Sequence, residues 1–192
     1  MKITFKRLIG PEYMLPAMRV TQGRDMFDNK LPSLELWTKM ILSEHSSDRS
    51  VVYRIYCKDV PYYTHVHFVR HHVGINFNVM SQRHDKERKD RPQGSLIDMF
   101  FDANVQALVN ISRKRLCYKA DEISQDLIKK LKSELIYAGD EYDKVLGKLL
   151  MRPCSWYLGY CAEPHCCGRV PGVINLFDVH KSILEGDSNG HV

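Results

Sequence analysis

The segment 51–60 constrains the fold more than any other part of this sequence. It reads VVYRIYCKDV, and β-branched and aromatic residues of this kind favour a strand. Pro61 follows, and proline suits the first position of a helix because that position needs no backbone N–H donor. We therefore predict a strand over 51–60 that leads directly into a helix over 62–70.

Helical periodicity dominates the part of the chain that follows. Apolar residues about 3.6 positions apart predict one long helix over 95–118 and further helices over 123–137 and 142–151. The N-terminal part adds an edge strand over 2–7 and a helix capped by Ser33. Strands and helices thus precede a block of helices without strict β-α-β alternation, which predicts an α+β domain with a small sheet and long helices.

The bulk composition is that of a globular protein. The chain has 192 residues, of which 44% are hydrophobic and 27% charged, enough for one domain with a real core. We find no bilayer-spanning run and no signal-peptide stretch, so we expect a cytoplasmic protein without a membrane partner. The net charge of +5 suits a nucleotide or a nucleic acid, although solubility alone also accounts for it.

Cysteine, glycine and proline mark the last quarter of the chain. We divide the sequence into a domain over 1–152 and a Cys-rich tail over 153–192, with a disordered end. Clustered cysteines in a cytosolic chain suggest metal or redox chemistry before disulfides. Their spacing is not that of paired C-x-x-C knuckles, so we assign no metal ligand. We leave open whether the tail thiols are free, metal-bound or a redox pair; they are Cys154, Cys161, Cys166 and Cys167.

A polar stretch that begins at Arg70 carries the most informative local chemistry. It reads RHHVGINFNVMSQRH. Arg70 and Arg83 can grip a phosphate through forked charged donors, and Ser81 can add a hydroxyl. Asn78 can donate and accept toward a nucleotide base or an isoalloxazine edge. On spacing alone, a solvated charged loop explains these residues better than a binding site does.

This stretch resembles the motif of the flavin-dependent thymidylate synthases. In that family, Arg-His-Arg is followed by seven residues, a serine and then x-Arg-Tyr. The present chain keeps the first arginine and the histidine, but it has His72 in place of the second arginine. It has one extra residue before Ser81 and His84 in place of the tyrosine.

Three further segments are similar to the family and occur in the family's order. The stretch from Asp59-Val60-Pro61 through Arg70 looks like the family's helix that leads into the motif. The loop His45-Ser46-Ser47 matches its His-x-Thr/Ser loop, and NVQALVNISRKR at 104–115, followed by ADEI, matches a helix with an arginine at its end. The resemblance covers about residues 33–135. The spacing from Asn104 to Arg115 is its most specific part.

The resemblance implies roles for individual residues. Arg115 resembles the arginine that activates the uracil ring, where fixed positive charge favours negative charge that develops on the pyrimidine. The implied ligands of the nucleotide, besides this arginine, are Arg70, Ser81, Gln82 and Arg83. The implied flavin contacts are Ser47, Arg70, His71, His72, Asn78, Asn104 and Asn110.

Several positions depart from the family pattern. Val79 stands at a glutamate of the motif, Gln106 at a second flavin arginine, and Lys119 at a downstream histidine. Ser50 and Val51 match a Glu-His pair. These differences bear on the reaction more than on the fold.

By this resemblance, the chain methylates dUMP to dTMP. FAD supplies the hydride after reduction by NADPH, and methylenetetrahydrofolate supplies the carbon. The resemblance also implies a homotetramer with active sites between subunits.

The alternatives to this function are a related flavoenzyme acting at C5 of another pyrimidine nucleotide, a zinc-binding structural protein, and a nucleic-acid-binding module. The mixture of Lys with Asp and Glu over 86–91 disfavours the last of these.

Overall fold

An antiparallel sheet forms the centre of the molecule. The computed structural model describes residues 1–27, 30–81 and 92–184, and within them the main sheet has four strands. These are β1 (Lys2–Ile9), β2 (Val52–Pro61), β3 (Ile75–Val79) and β4 (Leu96–Asn104), in the order β1-β2-β4-β3. A short parallel pair, β5 (Tyr160–Cys161) and β6 (Ile174–Asn175), lies in the tail.

Helices cover the sheet and connect its strands. They are α1 (Met14–Thr21), α2 (Leu34–Leu42), α3 (Tyr62–Phe68), α4 (Val105–Arg115), α5 (Glu122–Ala138), α6 (Glu141–Leu149), α7 (Pro153–Trp156) and α8 (Leu176–Leu184). Short 3-10 helices span Pro11–Tyr13 and Ser46–Ser50. In the described part of the chain, none of the helices combines the length and the apolar character that crossing a membrane requires.

The core lies between the helices and one face of the sheet. Alternate side chains of β2 and β4 point into it, as the two-residue period of a strand requires. They include Tyr53, Ile55, Cys57, Met99, Phe101 and Ala103. Helix α4 is buried along most of its length, and α5 adds Leu127, Leu131 and Leu135 at helical spacing. Most residues of α4 therefore pack in the core, which restricts the side chains that these positions can accept.

The predicted α+β class is confirmed, and so are most of its elements. Strand β1 lies at the edge of the sheet, as expected. The Ser33 hydroxyl accepts a hydrogen bond from the Leu36 N–H at 3.1 Å and caps α2. The helices predicted over 123–137 and 142–151 correspond to α5 and α6.

The long helix predicted over 95–118 is wrong in its first half. Residues from Leu96 to Asn104 form β4, which pairs with β2 on one side and β3 on the other. Ser95 precedes this strand and not a helix, and the helix begins after Asn104 instead. Pairing on both edges of β4 outweighs the local helical pattern, since apolar residues on a two-residue period are buried here as well.

A partly buried polar cluster ties the sheet to α6. The hydroxyl of Tyr53, which is fully buried, donates to Asp143 Oδ1 at 2.7 Å. Arg7 Nη1 donates to the same oxygen at 2.8 Å, and Arg7 also pairs with Asp140 at 2.5 Å. Arg7 lowers the pKa of Asp140 to about 2. The cluster satisfies its charges internally, as a buried carboxylate requires.

We predict that Tyr53→Phe destabilises the fold. The change keeps the ring but removes a hydrogen bond to a charged group, which costs about 1.5 to 3 kcal/mol. Urea unfolding followed by circular dichroism measures the loss. Tyr137→Phe is the matched control, because Tyr137 is 85% exposed. Equal stability of the two variants would contradict a stabilising role for the cluster.

Candidate functional site

A positively charged hollow opens where α3 and α4 end. Arg70 and His71 follow the last turn of α3, and Lys114 and Arg115 end α4. We call this hollow the cationic cavity. Its volume is about 330 Å³, and it is lined by Arg70, His71, Lys114, Arg115, Cys117, Lys119, Ala120 and Glu163. The structure thus brings together three residues that the motifs single out, Arg70, His71 and Arg115.

Arg115 is held in place by contacts to α3 and the turn after it. Its Nε donates to His71 Nε2 at 3.1 Å, and its Nη2 donates to the backbone carbonyl of His67. The guanidinium lies 5.9 Å from the centre of the Phe68 ring. Burial and the nearby Arg70 lower the pKa of Arg115, yet an arginine stays protonated in a protein. These contacts use two of its five N–H donors and leave others for an anionic ligand.

His71 is neutral in this arrangement. Its Nε2 accepts the hydrogen bond from Arg115, so the ring proton must lie on Nδ1. Burial lowers the pKa of His71 to about 4, and the positive charges of Arg115 and Lys114 lower it as well. A neutral His71 orients Arg115 without adding a further positive charge to the cavity.

The Cys-rich tail reaches the cationic cavity, which the sequence did not indicate. Glu163 Oε1 pairs with Lys114 Nζ at 2.8 Å, and Lys119 Nζ donates to the backbone carbonyl of His165. Glu163 is also one of the lining residues. The sequence around Glu163 does not indicate a binding site, because only the folded tail places this glutamate beside the lysines.

Asn104 and Asn110, the predicted flavin contacts on α4, make hydrogen bonds within the chain. Asn104 Oδ1 accepts from the Ala107 N–H at 2.8 Å and caps the helix. Asn110 Oδ1 accepts from Gln106 Nε2 at 3.3 Å and from Arg113 Nη2. Glu44 joins this group through Gln106 at 3.1 Å and Arg113 at 2.5 Å. Gln106, which replaces the family's arginine, is therefore part of an internal polar network.

The loop of His45 and Ser47 is buried beside α4. Ser47 Oγ lies 2.9 Å from His45 Nδ1, and Ser47 is 3% exposed. The next residue, Asp48, is fully buried, and neither carboxylate oxygen has a hydrogen-bond partner among the described residues. Burial raises the pKa of Asp48 to about 7. The loop thus holds a carboxyl group that favours its neutral form.

The other predicted site residues lie apart from the cationic cavity. Asn78 on β3 lines a separate cavity of about 510 Å³ over the sheet, together with Tyr56 and Phe100. His72 is exposed, with its Nδ1 3.2 Å from the Arg70 carbonyl oxygen. Ser81 is exposed just after β3. The predicted phosphate ligands Gln82 and Arg83 fall outside the described residues.

We expect the buried Asp48 to make stability fall with rising pH. Its pKa is about 7 in the folded chain against an ordinary 3.8. Between these values the unfolded carboxyl is ionised while the folded one keeps its proton, so stability decreases by about 1.4 kcal/mol per pH unit. Urea unfolding at pH 5, 6 and 7 should show this slope in the wild type relative to Asp48→Asn. Parallel profiles of the two proteins would contradict it.

The contact between Arg115 and His71 can be tested without a ligand. Arg115→Ala should raise the pKa of His71 from about 4 part of the way to its ordinary 6.5, because burial still acts on the ring. An NMR titration of the histidine ring protons measures the change. The control is Arg24→Ala, because Arg24 is exposed and is not among the groups that lower the pKa of His71. This variant should leave the pKa of His71 unaltered.

Comparison with known proteins by sequence gives no assignment. No model of a known protein family matches the chain. No curated protein is similar to it in sequence.

Comparison of folds does find relatives. The flavin-dependent thymidylate synthase ThyX from Helicobacter pylori, complexed with FAD and dUMP, matches with a TM-score of 0.62 and 15% identity, over 79% of this chain and 100% of that one. The UMP/dUMP methylase PolB from Streptomyces cacaoi, bound with 5-Br dUMP, matches with a TM-score of 0.57 and 13% identity, over 77% and 94%. The chain therefore has the fold of the flavin-dependent thymidylate synthases, as its motifs predicted.

Proposed function

We propose that this chain is a flavin-dependent methyltransferase that acts at C5 of a pyrimidine nucleotide. In the specific form of the proposal, the nucleotide is dUMP, methylenetetrahydrofolate supplies the carbon and NADPH reduces the FAD. The observation that carries the proposal is the meeting of Arg70, His71 and Arg115 in one cavity. The motifs select these residues independently of the structure, and the fold is one in which a relative is complexed with FAD and dUMP.

The charge of the cationic cavity suits a nucleoside monophosphate. Arg70, Lys114 and Lys119 line it with positive charge, and charged donors make strong hydrogen bonds to phosphate. Arg115, held by His71, provides a fixed guanidinium toward a pyrimidine ring. Such a group stabilises negative charge that develops on the ring during reaction without having to reorganise.

A flavin needs more than the cationic cavity of one chain. FAD is much larger than a nucleoside monophosphate. Of the predicted FAD contacts, only Arg70 and His71 line this cavity. Asn104 is a helix cap, and Asn78 lies in the cavity over the sheet. We therefore propose that neighbouring copies in a homotetramer complete the flavin site. FAD bound there would supply the hydride.

A ribonucleotide is the second candidate substrate. Glu163 lines the cationic cavity, and a carboxylate accepts hydrogen bonds from sugar hydroxyls. UMP carries one hydroxyl more than dUMP, and the related PolB is a UMP/dUMP methylase. Parallel titrations with dUMP and UMP distinguish the two candidates.

The first experiment is the visible absorption spectrum of the purified chain, before and after addition of FAD and then dUMP. A bound-flavin spectrum that shifts with dUMP supports both ligands in one site. Gel filtration with light scattering reports the oligomeric state in the same sample. A colourless protein that does not take up FAD would exclude the flavoenzyme and leave the nucleic-acid-binding module to be tested by salt-dependent DNA and RNA binding.

We predict that Arg115→Ala weakens dUMP binding by about tenfold to hundredfold, the loss expected for a charge-assisted hydrogen bond. Turnover should fall by a further factor of about 10² to 10³, because the positive charge acts on the developing negative charge. Calorimetry and a tritium-release or product assay measure the two effects. Arg115→Lys should recover part of the loss, since it restores charge without the forked geometry.

The control for this prediction is Arg24→Ala. It removes the same side chain from an exposed position outside the cavity lining. Both alanine variants should keep the wild-type circular dichroism spectrum. Undiminished dUMP binding and turnover in Arg115→Ala would contradict the role proposed for this arginine.

A further inference from the structure

Five of the six cysteines line one small pocket in the tail. They are Cys117 after α4, Cys154 in α7, Cys161 at the end of β5, and Cys166 and Cys167 in the next loop. The free volume is about 10 Å³, no more than one water needs. Among the described residues, no group of three or more His, Cys, Asp or Glu side chains is arranged to hold a metal ion. The pocket thus brings five thiols together, where two of them can form a disulfide.

Cys166 has the surroundings of a nucleophile. Cys166 shares the pocket with Cys161 and Cys167 and is partly exposed. The backbone N–H of Gly168 lowers the pKa of Cys166, and so do the neighbouring Cys161 thiol and the backbone N–H and thiol of Cys167. Burial raises the pKa of Cys161 and keeps it protonated. An accessible, acidic thiol beside a second thiol is the arrangement found in redox-sensing pairs.

The segment between these two thiols touches the cationic cavity. Glu163 pairs with Lys114, and the carbonyl of His165 accepts from Lys119. Both lysines line the cavity. Any bond that closes residues 161–166 into a ring therefore restricts the part of the tail that holds a carboxylate over this site.

We infer that Cys161 and Cys166 are a reversible disulfide site, in which Cys166 is the attacking thiol and Cys161 the resolving thiol. The disulfide keeps Glu163 at its ion pair with Lys114, so that an anionic ligand competes less well for this lysine. The disulfide itself is independent of the proposed function. Its effect on nucleotide binding rests on that function.

The oxidation balances with a small-molecule disulfide, such as glutathione disulfide, as the oxidant. The Cys166 thiolate attacks one of its sulfurs, the glutathione S–S bond breaks and one glutathione thiolate leaves. Cys161 then loses its proton and attacks Cys166 Sγ, which forms the protein disulfide and expels the second glutathione. Two electrons pass to the oxidant, and the two thiol protons end on two glutathione molecules.

The test uses the full chain, reduced, desalted and titrated with glutathione disulfide. Free thiols are alkylated with one reagent, and oxidised thiols with an isotopically heavy one after reduction. We expect two of the six cysteines to be oxidised, at positions 161 and 166, and to be restored by dithiothreitol. No lysine or arginine lies between Cys154 and Cys167, so peptide fragmentation must locate the label.

Variants separate this pair from its neighbours. Cys161→Ser should stop at a mixed disulfide between Cys166 and glutathione, because the resolving thiol is missing. Cys154→Ser and Cys167→Ser should form the disulfide like the wild type. Six thiols that stay reduced in excess oxidant, or a disulfide mapped to Cys154 or Cys167, would overturn the inference. Stoichiometric zinc in the purified protein would also overturn it, since the thiolates would then be metal ligands.

The effect on the cavity is measured with dUMP. Its dissociation constant should be roughly three- to fivefold higher in the oxidised protein, the size of effect expected from competition by one exposed ion pair. In Glu163→Gln, oxidation should leave the dissociation constant unchanged. Equal affinities of the oxidised and reduced wild type would overturn the coupling. Absence of dUMP binding in both states, with the disulfide mapped as expected, would instead contradict the proposed function.

Discussion

The hydrogen bond from the Ala107 N–H to the Asn104 side chain decides where β4 stops and α4 begins. Asn104 also donates its backbone N–H to the carbonyl of Gly74. Gly74 has φ +74°, and a Cβ there would lie 2.5 Å from Asn104 Nδ2, so this position accepts only glycine without rearrangement. From the cap, α4 runs about 16 Å along its axis to Arg115. The placement of the candidate catalytic arginine therefore depends on a contact at the opposite end of its helix.

The cationic cavity places like charges together, and the surrounding groups reduce the repulsion. Arg115 donates to a neutral imidazole and a carbonyl, neither of which adds positive charge. Lys114 has the Glu163 carboxylate, and Lys119 has the carbonyl of His165. Two of these compensating groups come from α3 and the turn after it, and two come from the tail. The positive charge of the cavity is therefore offset by two separate segments of the chain.

The sequence predicted the elements whose pattern is local and missed those that depend on distant pairing. The strand over 51–60 is rich in β-branched and aromatic residues, and the helix over 123–137 has apolar residues at helical spacing; both are confirmed. The segment 96–104 has apolar residues that fit both periods, so its strand pairing could not be read from the chain alone. The motif predicted that Arg70, His71 and Arg115 belong to one site, and they meet. Glu163 was missed because its position depends on the folding of the tail, which no periodicity or motif describes.

Glu163 gives the cationic cavity its own resident counter-ion. An anion that binds to Lys114 must displace this carboxylate rather than only water and mobile salt ions. Binding there is then partly an exchange between two anions, one of which stays tethered to the chain. Such an exchange releases fewer free ions to the solvent than binding to a bare basic surface, and its affinity should therefore depend less steeply on ionic strength.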